Sequence, residues 1–131
     1  MFKEVKIESR IENLRIVEKA IDDFSNEIGI EQNNYGKILV SIMEAVNNAI
    51  IHGNKYMNEF LVRVLIEIFT NEILVEVEDK GEGFDVNSIP SPVEEGAIQK
   101  EGGRGIYFIK HLSLSCYTIG RGNIIRIKLK R

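Results

Sequence analysis

Apolar residues recur at steps of three and four positions in two stretches of the first half of the chain, which is the spacing of one face of an α-helix. The first stretch predicts a helix over residues 13–28, stopped by Gly29. The second predicts a helix over residues 32–52, with Gly53 and Asn54 as its stop signal. The core positions expected on the second helix are Ile38, Leu39, Ile42, Ala45, Val46 and Ala49.

Short runs of β-branched and other apolar residues predict strands in the rest of the chain. The expected strands are a short one around Val5 and Ile7, a hairpin formed by 60–69 and 73–78, a strand at 114–119 and a last strand after the turn at 120–122. A third helix is expected over 105–112. This order of elements predicts an α+β fold: a two-layer sandwich in which a mixed, mostly antiparallel sheet is covered on one face by three helices. Residues 1–131 are expected to form a single domain.

The segment from 79 to 103 differs from its surroundings because it has little periodicity and holds both prolines, Pro90 and Pro92. A loop of this length inside a compact domain is usually functional. Such loops are often lids.

Composition and charge exclude several classes of protein. With 44% hydrophobic and 28% charged residues, the 131-residue chain has the composition of a globular protein. Its net charge of −3 gives no broad basic field, so direct binding to nucleic acid is not expected. No apolar run approaches the length of about 20 residues that spans a membrane, and the N-terminus has no signal-peptide pattern. No membrane association and a cytoplasmic location are expected, and the single Cys116 excludes an intrachain disulfide.

The predicted second helix carries an unusual polar face, on which Glu44 and Asn48 lie one turn apart opposite the core positions. The ordinary interpretation is a face exposed to solvent. However, Asn47 and Asn48 near the middle of a helix each cost roughly 0.5 kcal/mol relative to alanine. A carboxylate one turn from a carboxamide also offers a general base and the oxygen ligands that Mg²⁺ prefers. A catalytic or Mg²⁺-binding site on this face is therefore an alternative to a solvent-exposed surface. The other polar residues on or beside this face are Lys37, Ser41 and His52.

Two glycine-rich stretches follow, at 79–85 and 102–106. Glycines let the backbone approach a ligand closely, and free N–H groups at a helix start attract anions, to which Arg104 adds a charge. A plain turn explains the first stretch equally simply, and a hinge before a helix explains the second. Neither stretch matches the P-loop or the Rossmann fingerprint, so any nucleotide would be bound by another route.

Taken together, these stretches resemble three sequence boxes of one superfamily. Residues 44–53, Glu-Ala-Val-Asn-Asn-Ala-Ile-Ile-His-Gly, resemble the N box of the Bergerat-fold (GHKL) ATPases. Residues 79–83, Asp-Lys-Gly-Glu-Gly, resemble the Asp-x-Gly-x-Gly box, and 103–105, Gly-Arg-Gly, resemble the second glycine box. The superfamily includes type II topoisomerases and sensor histidine kinases. The sequence of the first box is most similar to that of the bacterial anti-sigma factor serine/threonine kinases.

The resemblance implies a role for each of these residues toward ATP and Mg²⁺. Asn48 would hold the Mg²⁺ ion, Glu44 would act as the general base, and Asp79 would accept from the adenine amino group. The glycine positions would lie around the nucleotide: Gly81 and Gly83 at the base and ribose, and Gly103 and Gly105, with Arg104, over the phosphates beneath a lid at 87–100.

Two positions depart from the pattern of the family. An arginine that can precede the second glycine box is absent, and Glu101 stands in that neighbourhood. A cation for the γ-phosphate would therefore come from Lys100 or Arg104, or would be missing. A threonine that usually follows the glycine of the last hairpin is also absent. Asn123 would take its place near the adenine, whereas Ile124 could not form a hydrogen bond.

The resemblance implies a protein kinase that phosphorylates a small STAS-type anti-anti-sigma protein, binds a sigma factor, and forms a homodimer as relatives can. An alternative is a regulatory module that binds nucleotide and sequesters a protein partner without transferring phosphate. A third, less favoured interpretation is a domain that has lost nucleotide binding and serves only in protein contact.

Overall fold

The computed structural model describes residues 1–83 and 103–131, with the side chains of the second range described from Gly105 onward. Five strands form one sheet: β1 (Phe2–Glu8), β2 (Leu61–Ile68), β3 (Glu72–Glu78), β4 (Ser115–Ile119) and β5 (Ile124–Lys130). Three helices accompany them: α1 (Leu14–Ile28), α2 (Gln32–Asn48) and α3 (Gly103–Leu112). A 3₁₀ turn, Ile11–Asn13, precedes α1, and a π-helical turn, Ala49–Gly53, follows α2. The predicted α+β class and three-helix layer are confirmed.

The strand order is β1-β2-β3-β5-β4, and all four pairings in the described part of the chain are antiparallel. The predicted sheet was mixed, so this detail differs. The reason lies in the last hairpin: β3 and β4 run in the same direction, but β5 lies between them and is antiparallel to both. The connection through α3 therefore produces no parallel pair.

One face of the sheet and the three helices enclose the core. Alternate residues of β2, β3 and β5 are buried on this face, as a half-buried sheet requires. The predicted core face of α2 is also confirmed, with Ile38, Ile42, Ala45, Val46 and Ala49 at most 3% exposed and Leu39 half-buried. The helix α1 ends as predicted, since Gly29 adopts a left-handed φ of 69° and its N–H caps the Ser25 carbonyl.

The opposite face of the sheet carries charged side chains in ion pairs. Arg63 on β2 pairs with Glu4 and Glu78, and Arg126 on β5 pairs with Glu76. The basic residues of the last strand thus occupy its solvent-facing side, as their alternation with isoleucine predicts. None of the helices in the described ranges has the length and apolar character needed to cross a membrane.

Candidate functional site

The polar face of α2 is covered by α3 rather than by solvent. The two helices pack against each other, and Ser41 is fully buried while Glu44 and Asn48 are half-buried. Only the outer members of the predicted face, Lys37 and His52, are exposed. The interpretation of this face as an ordinary solvated surface is therefore wrong at its centre.

Glu44 lies beside the first turn of α3. A methyl group on Gly105 would sit 2.6 Å from Glu44 Oε2, so the carboxylate occupies the space that a larger residue would take. Helix N-termini stabilise nearby negative charge because their N–H dipoles point outward. The structure therefore brings the predicted base together with the second glycine box, which begins α3.

Asp79 follows the last residue of β3 and is only 7% exposed. Its Oδ1 accepts a hydrogen bond from the Gly81 N–H at 2.7 Å, while no described residue donates to its Oδ2. Burial raises the pKa of this carboxyl, although the Gly81 N–H and the charge of Arg121 oppose that shift. Among the described residues, Asp79 Oδ2 therefore has no hydrogen-bond donor.

Asp79, Asn48 and Asn123 line one cavity with an otherwise apolar wall. The remaining lining residues are Ala45, Ala49, Val77, Gly122 and Ile125. The cavity measures about 10 Å³, which is close to the space of one water molecule. A purine ring would therefore enter only if these walls separate.

Asn123, and not Ile124, faces this cavity, because neighbouring residues at the start of β5 point to opposite sides of the sheet. The Asn123 side chain donates from Nδ2 to the Asp79 carbonyl at 2.9 Å, and the Asp79 N–H donates to the Asn123 carbonyl at 3.0 Å. Ile124 is not among the described residues that line the cavity.

The glycines of the first box are packed against the protein itself. A methyl group on Gly81 would lie 2.4 Å from the Gly53 carbonyl oxygen, and one on Gly83 would lie 2.1 Å from the Arg121 carbonyl oxygen. Gly83 also has a left-handed φ of 89°, which side chains disfavour. A side chain at either position would therefore collide with neighbouring backbone, so close packing within the protein requires both glycines.

Three residues near the site were missed in the sequence. Gly53 touches the Asp79 carboxylate so closely that a methyl group there would lie 2.2 Å from Oδ2. Arg121 donates from Nε to the Gly81 carbonyl at 2.9 Å and from Nη2 to the Lys80 carbonyl at 3.3 Å. Asn54 is 2% exposed and accepts from the Lys80 N–H. The available signals, a Gly-Asn helix stop and a Gly-Arg-Gly turn, pointed only to local geometry.

The other predicted site residues are only partly covered by the structure. Gly103 and Arg104 form the start of α3, and their side-chain surroundings lie outside the described residues. Lys100, Glu101 and the predicted lid at 87–100 also lie outside the described residues.

The fold and this site define a class of protein. Residues 7–129 match the family described as the histidine kinase-like ATPase domain, so the chain belongs to that family and the resemblance found in its sequence boxes is confirmed.

Among curated relatives, the chain is 24% identical over 118 residues to the serine-protein kinase RsbW of Staphylococcus aureus strain MRSA252, a match covering 85% of this chain and 74% of the relative. The same protein from strain Newman matches equally. Among solved structures, the crystal structure of the RsbU and RsbW domains of a Mycobacterium tuberculosis protein matches with a TM-score of 0.67 at 16% identity. That match covers all of this chain but 31% of the longer one, and it supports the fold.

Proposed function

We propose that this chain is an ATP- and Mg²⁺-dependent serine/threonine protein kinase of the anti-sigma factor type, which phosphorylates a STAS-type protein and binds a sigma factor. Family membership and the RsbW relatives support the class of activity. The observation that carries the proposal is the position of three polar side chains: Glu44 and Asn48 one turn apart on α2, with Asp79 facing Asn48 across the cavity.

Asp79 suits the recognition of adenine. No described residue donates to its Oδ2, which would accept a hydrogen bond from an exocyclic amino group. Once separated, the apolar walls of the cavity would suit the faces of an aromatic ring. Guanine carries a carbonyl oxygen where adenine carries that amino group. In the buried site this oxygen would lie against Asp79 Oδ2, and neither of these two acceptors could donate a hydrogen bond. Such an unpaired buried group costs about 1–3 kcal/mol. The site therefore favours ATP over GTP.

Asn48 suits Mg²⁺ because its side-chain oxygen is a hard ligand and a single protein ligand leaves places for water and phosphate oxygens. The ion would neutralise part of the phosphate charge. Gly105, in the first turn of α3, lies beside Glu44. A helix N-terminus favours phosphate through its N–H groups and its dipole. Arg104 or Lys100 supplies the cation for the γ-phosphate.

Glu44 acts as the general base in this proposal. A serine or threonine hydroxyl of the partner gives its proton to Glu44 while the hydroxyl oxygen bonds to the γ-phosphorus of ATP. The bond between the γ-phosphorus and the oxygen that bridges it to the β-phosphate breaks, which releases ADP. Glu44 lies one turn before Asn48 on α2 and beside Gly105 of α3, which supports a base close to the phosphates.

The proposal is tested by incubating the protein with radiolabelled ATP, Mg²⁺ and the STAS-domain protein of the same genome. Transfer is expected from the native chain and from Glu18→Gln, an exposed position on α1. Glu44→Gln should keep ATP binding and lose about 10²–10⁴-fold in rate. Absence of transfer from the native chain, or equal transfer from Glu44→Gln, contradicts the kinase assignment. ATP binding with a stable partner complex but no transfer selects the regulatory module instead.

A further inference from the structure

We propose that Asn54 is a positioning residue that sets the place of Asp79, and with it the preference of the site for adenine. The inference rests on the proposed ATP site. It concerns a residue outside the three sequence boxes, at the point where the π-helical turn after α2 ends.

The two halves of the Asn54 carboxamide hold different parts of the molecule. Oδ1 accepts from the Lys80 N–H at 2.6 Å. Nδ2 donates to Ser9 Oγ at 2.9 Å and to the carbonyls of Phe60 and Leu61, each at 3.2 Å. One buried side chain therefore links the loop after β3 to the segment after β1 and to the start of β2.

Every backbone N–H and carbonyl of residues 79–81 is hydrogen-bonded, and only four of the described residues supply the partners. The Asp79 N–H and carbonyl bond to Asn123, and the Lys80 and Gly81 carbonyls accept from Arg121. The Gly81 N–H donates to the Asp79 carboxylate itself. The Lys80 N–H is held by Asn54, and among the described residues this is the only hydrogen bond to this backbone from the α2 side. Loss of that bond frees the loop on the side where Asp79 faces α2.

The turn that follows Asn54 is strained and needs support. Lys55 and Tyr56 have left-handed φ values of 51° and 62° although neither is glycine. Such conformations persist only where surrounding contacts fix them. The bonds from Asn54 Nδ2 to Phe60 and Leu61 close this turn and keep the Asn54 side chain aimed at Lys80. The Asn54 side chain is therefore held through Nδ2, and through Oδ1 it holds the loop at Lys80.

Close packing of Gly53 makes the direction of the Asp79 carboxylate depend on the position of residues 79–81. The backbone of Gly53 touches the Asp79 carboxylate and the Gly81 backbone so closely that no methyl group fits between them. Because Asn54 is the next residue, its hydrogen bond to Lys80 holds these two backbones in contact. A shift of the loop would turn Asp79 Oδ2 away from the place where an adenine amino group must arrive.

The test compares binding of ATP and inosine triphosphate, whose base lacks the amino group, by calorimetry. The native chain should prefer ATP. Asn54→Ala should lose about tenfold in ATP affinity, the equivalent of ~1.4 kcal/mol, with little change for inosine triphosphate, so that the preference falls. Ser9→Ala is the matched control, since it removes a partner of Nδ2 and leaves the Lys80 contact: it should lower the melting temperature and keep the preference.

An unchanged preference in a folded Asn54→Ala variant overturns the inference, as does an equal loss of preference in Ser9→Ala. If Asn54→Ala does not fold, hydrogen exchange of the Lys80 amide in the native chain decides instead: protection supports the bond to Asn54, and exchange at the rate of an open loop refutes it. Failure of the native chain to bind ATP at all is a different result, which removes the proposed function.

Discussion

A methyl group at Gly53 should damage both the fold and the proposed nucleotide site. The Cβ of Gly53→Ala would lie 2.2 Å from Asp79 Oδ2, 2.3 Å from Asp79 Cγ and 2.8 Å from Asp79 Oδ1, whereas ordinary contacts begin at 3.4 Å. The difference of 3.4 − 2.2, or 1.2 Å, is the shortest distance by which the two groups must separate.

Asp79 cannot make that movement freely. Its Oδ1 is bound to the Gly81 N–H, and its backbone N–H and carbonyl are both bound to Asn123. Overpacking of this kind usually costs about 1–3 kcal/mol. In a domain of this size each kcal/mol lowers the melting temperature by about 4 °C, so a decrease of about 4–12 °C is expected.

Gly36, on the helix α2 that precedes the turn containing Gly53, offers the matched control. A methyl group there meets nothing within 4 Å, and the residue is exposed within α2. Alanine is favoured over glycine in a helix interior by up to about 1 kcal/mol. Gly36→Ala should therefore melt at or above the native temperature and bind ATP unchanged.

Thermal melts and ATP titrations of the two variants check the reasoning. Gly53→Ala should melt lower than the native chain and bind ATP at least about tenfold more weakly, a loss of ~1.4 kcal/mol. If Gly53→Ala is as stable as Gly36→Ala and binds ATP with native affinity, the close contact between Gly53 and Asp79 does not exist in solution.

Two further predictions concern titratable groups. Because burial raises the pKa of Asp79 above its ordinary value of 3.8, the folded state loses stability as the pH rises from that value through the raised pKa, and the loss persists above it. Asp79→Asn should therefore remove the part of the decrease in stability that begins as the pH rises above 3.8, while weakening ATP binding. Urea unfolding of both proteins across a series of pH values checks this, and equal pH dependence would refute it. Burial raises the pKa of the Cys116 thiol to about 11, so alkylation near neutral pH should be slow in the native protein and fast in urea, as mass spectrometry can measure; fast native labelling would contradict this burial.

Hydrophobic periodicity was sufficient to predict the elements that build the core. The apolar positions of α2 and the alternation along β5 gave the right faces, because removal of apolar surface from water is the dominant driving force for folding at these positions. The unusual pair Glu44 and Asn48 was also found in sequence, since residues four apart on a helix are neighbours whatever the rest of the fold does.

Contacts between distant segments could not be predicted in this way. Asn54 and Lys80 are 26 positions apart, and their hydrogen bond depends on how the end of α2 meets the end of β3. The predicted helix also ran on to residue 52, whereas α2 ends at Asn48 and one π-helical turn follows, in which the Asn54 N–H donates to the Ala49 carbonyl at 2.8 Å. That turn changes the direction in which Gly53 and Asn54 point, and no local pattern signals it.

The glycines near the site differ in what requires them. Gly53 contacts the Asp79 side chain, whose Oδ1 and whose backbone are both hydrogen-bonded. Gly81 and Gly83 contact backbone atoms, which cannot rotate away. The short contact of Gly105 is with Oε2 of Glu44, at the end of a side chain that can rotate. The first three glycines therefore allow segments of the protein to pack closely, whereas Gly105 leaves space for the Glu44 carboxylate. The glycines of the first box are thus first a requirement of packing. The proposal of a ligand rests on Asp79 Oδ2, to which no described residue donates, and on the positions of Glu44 and Asn48.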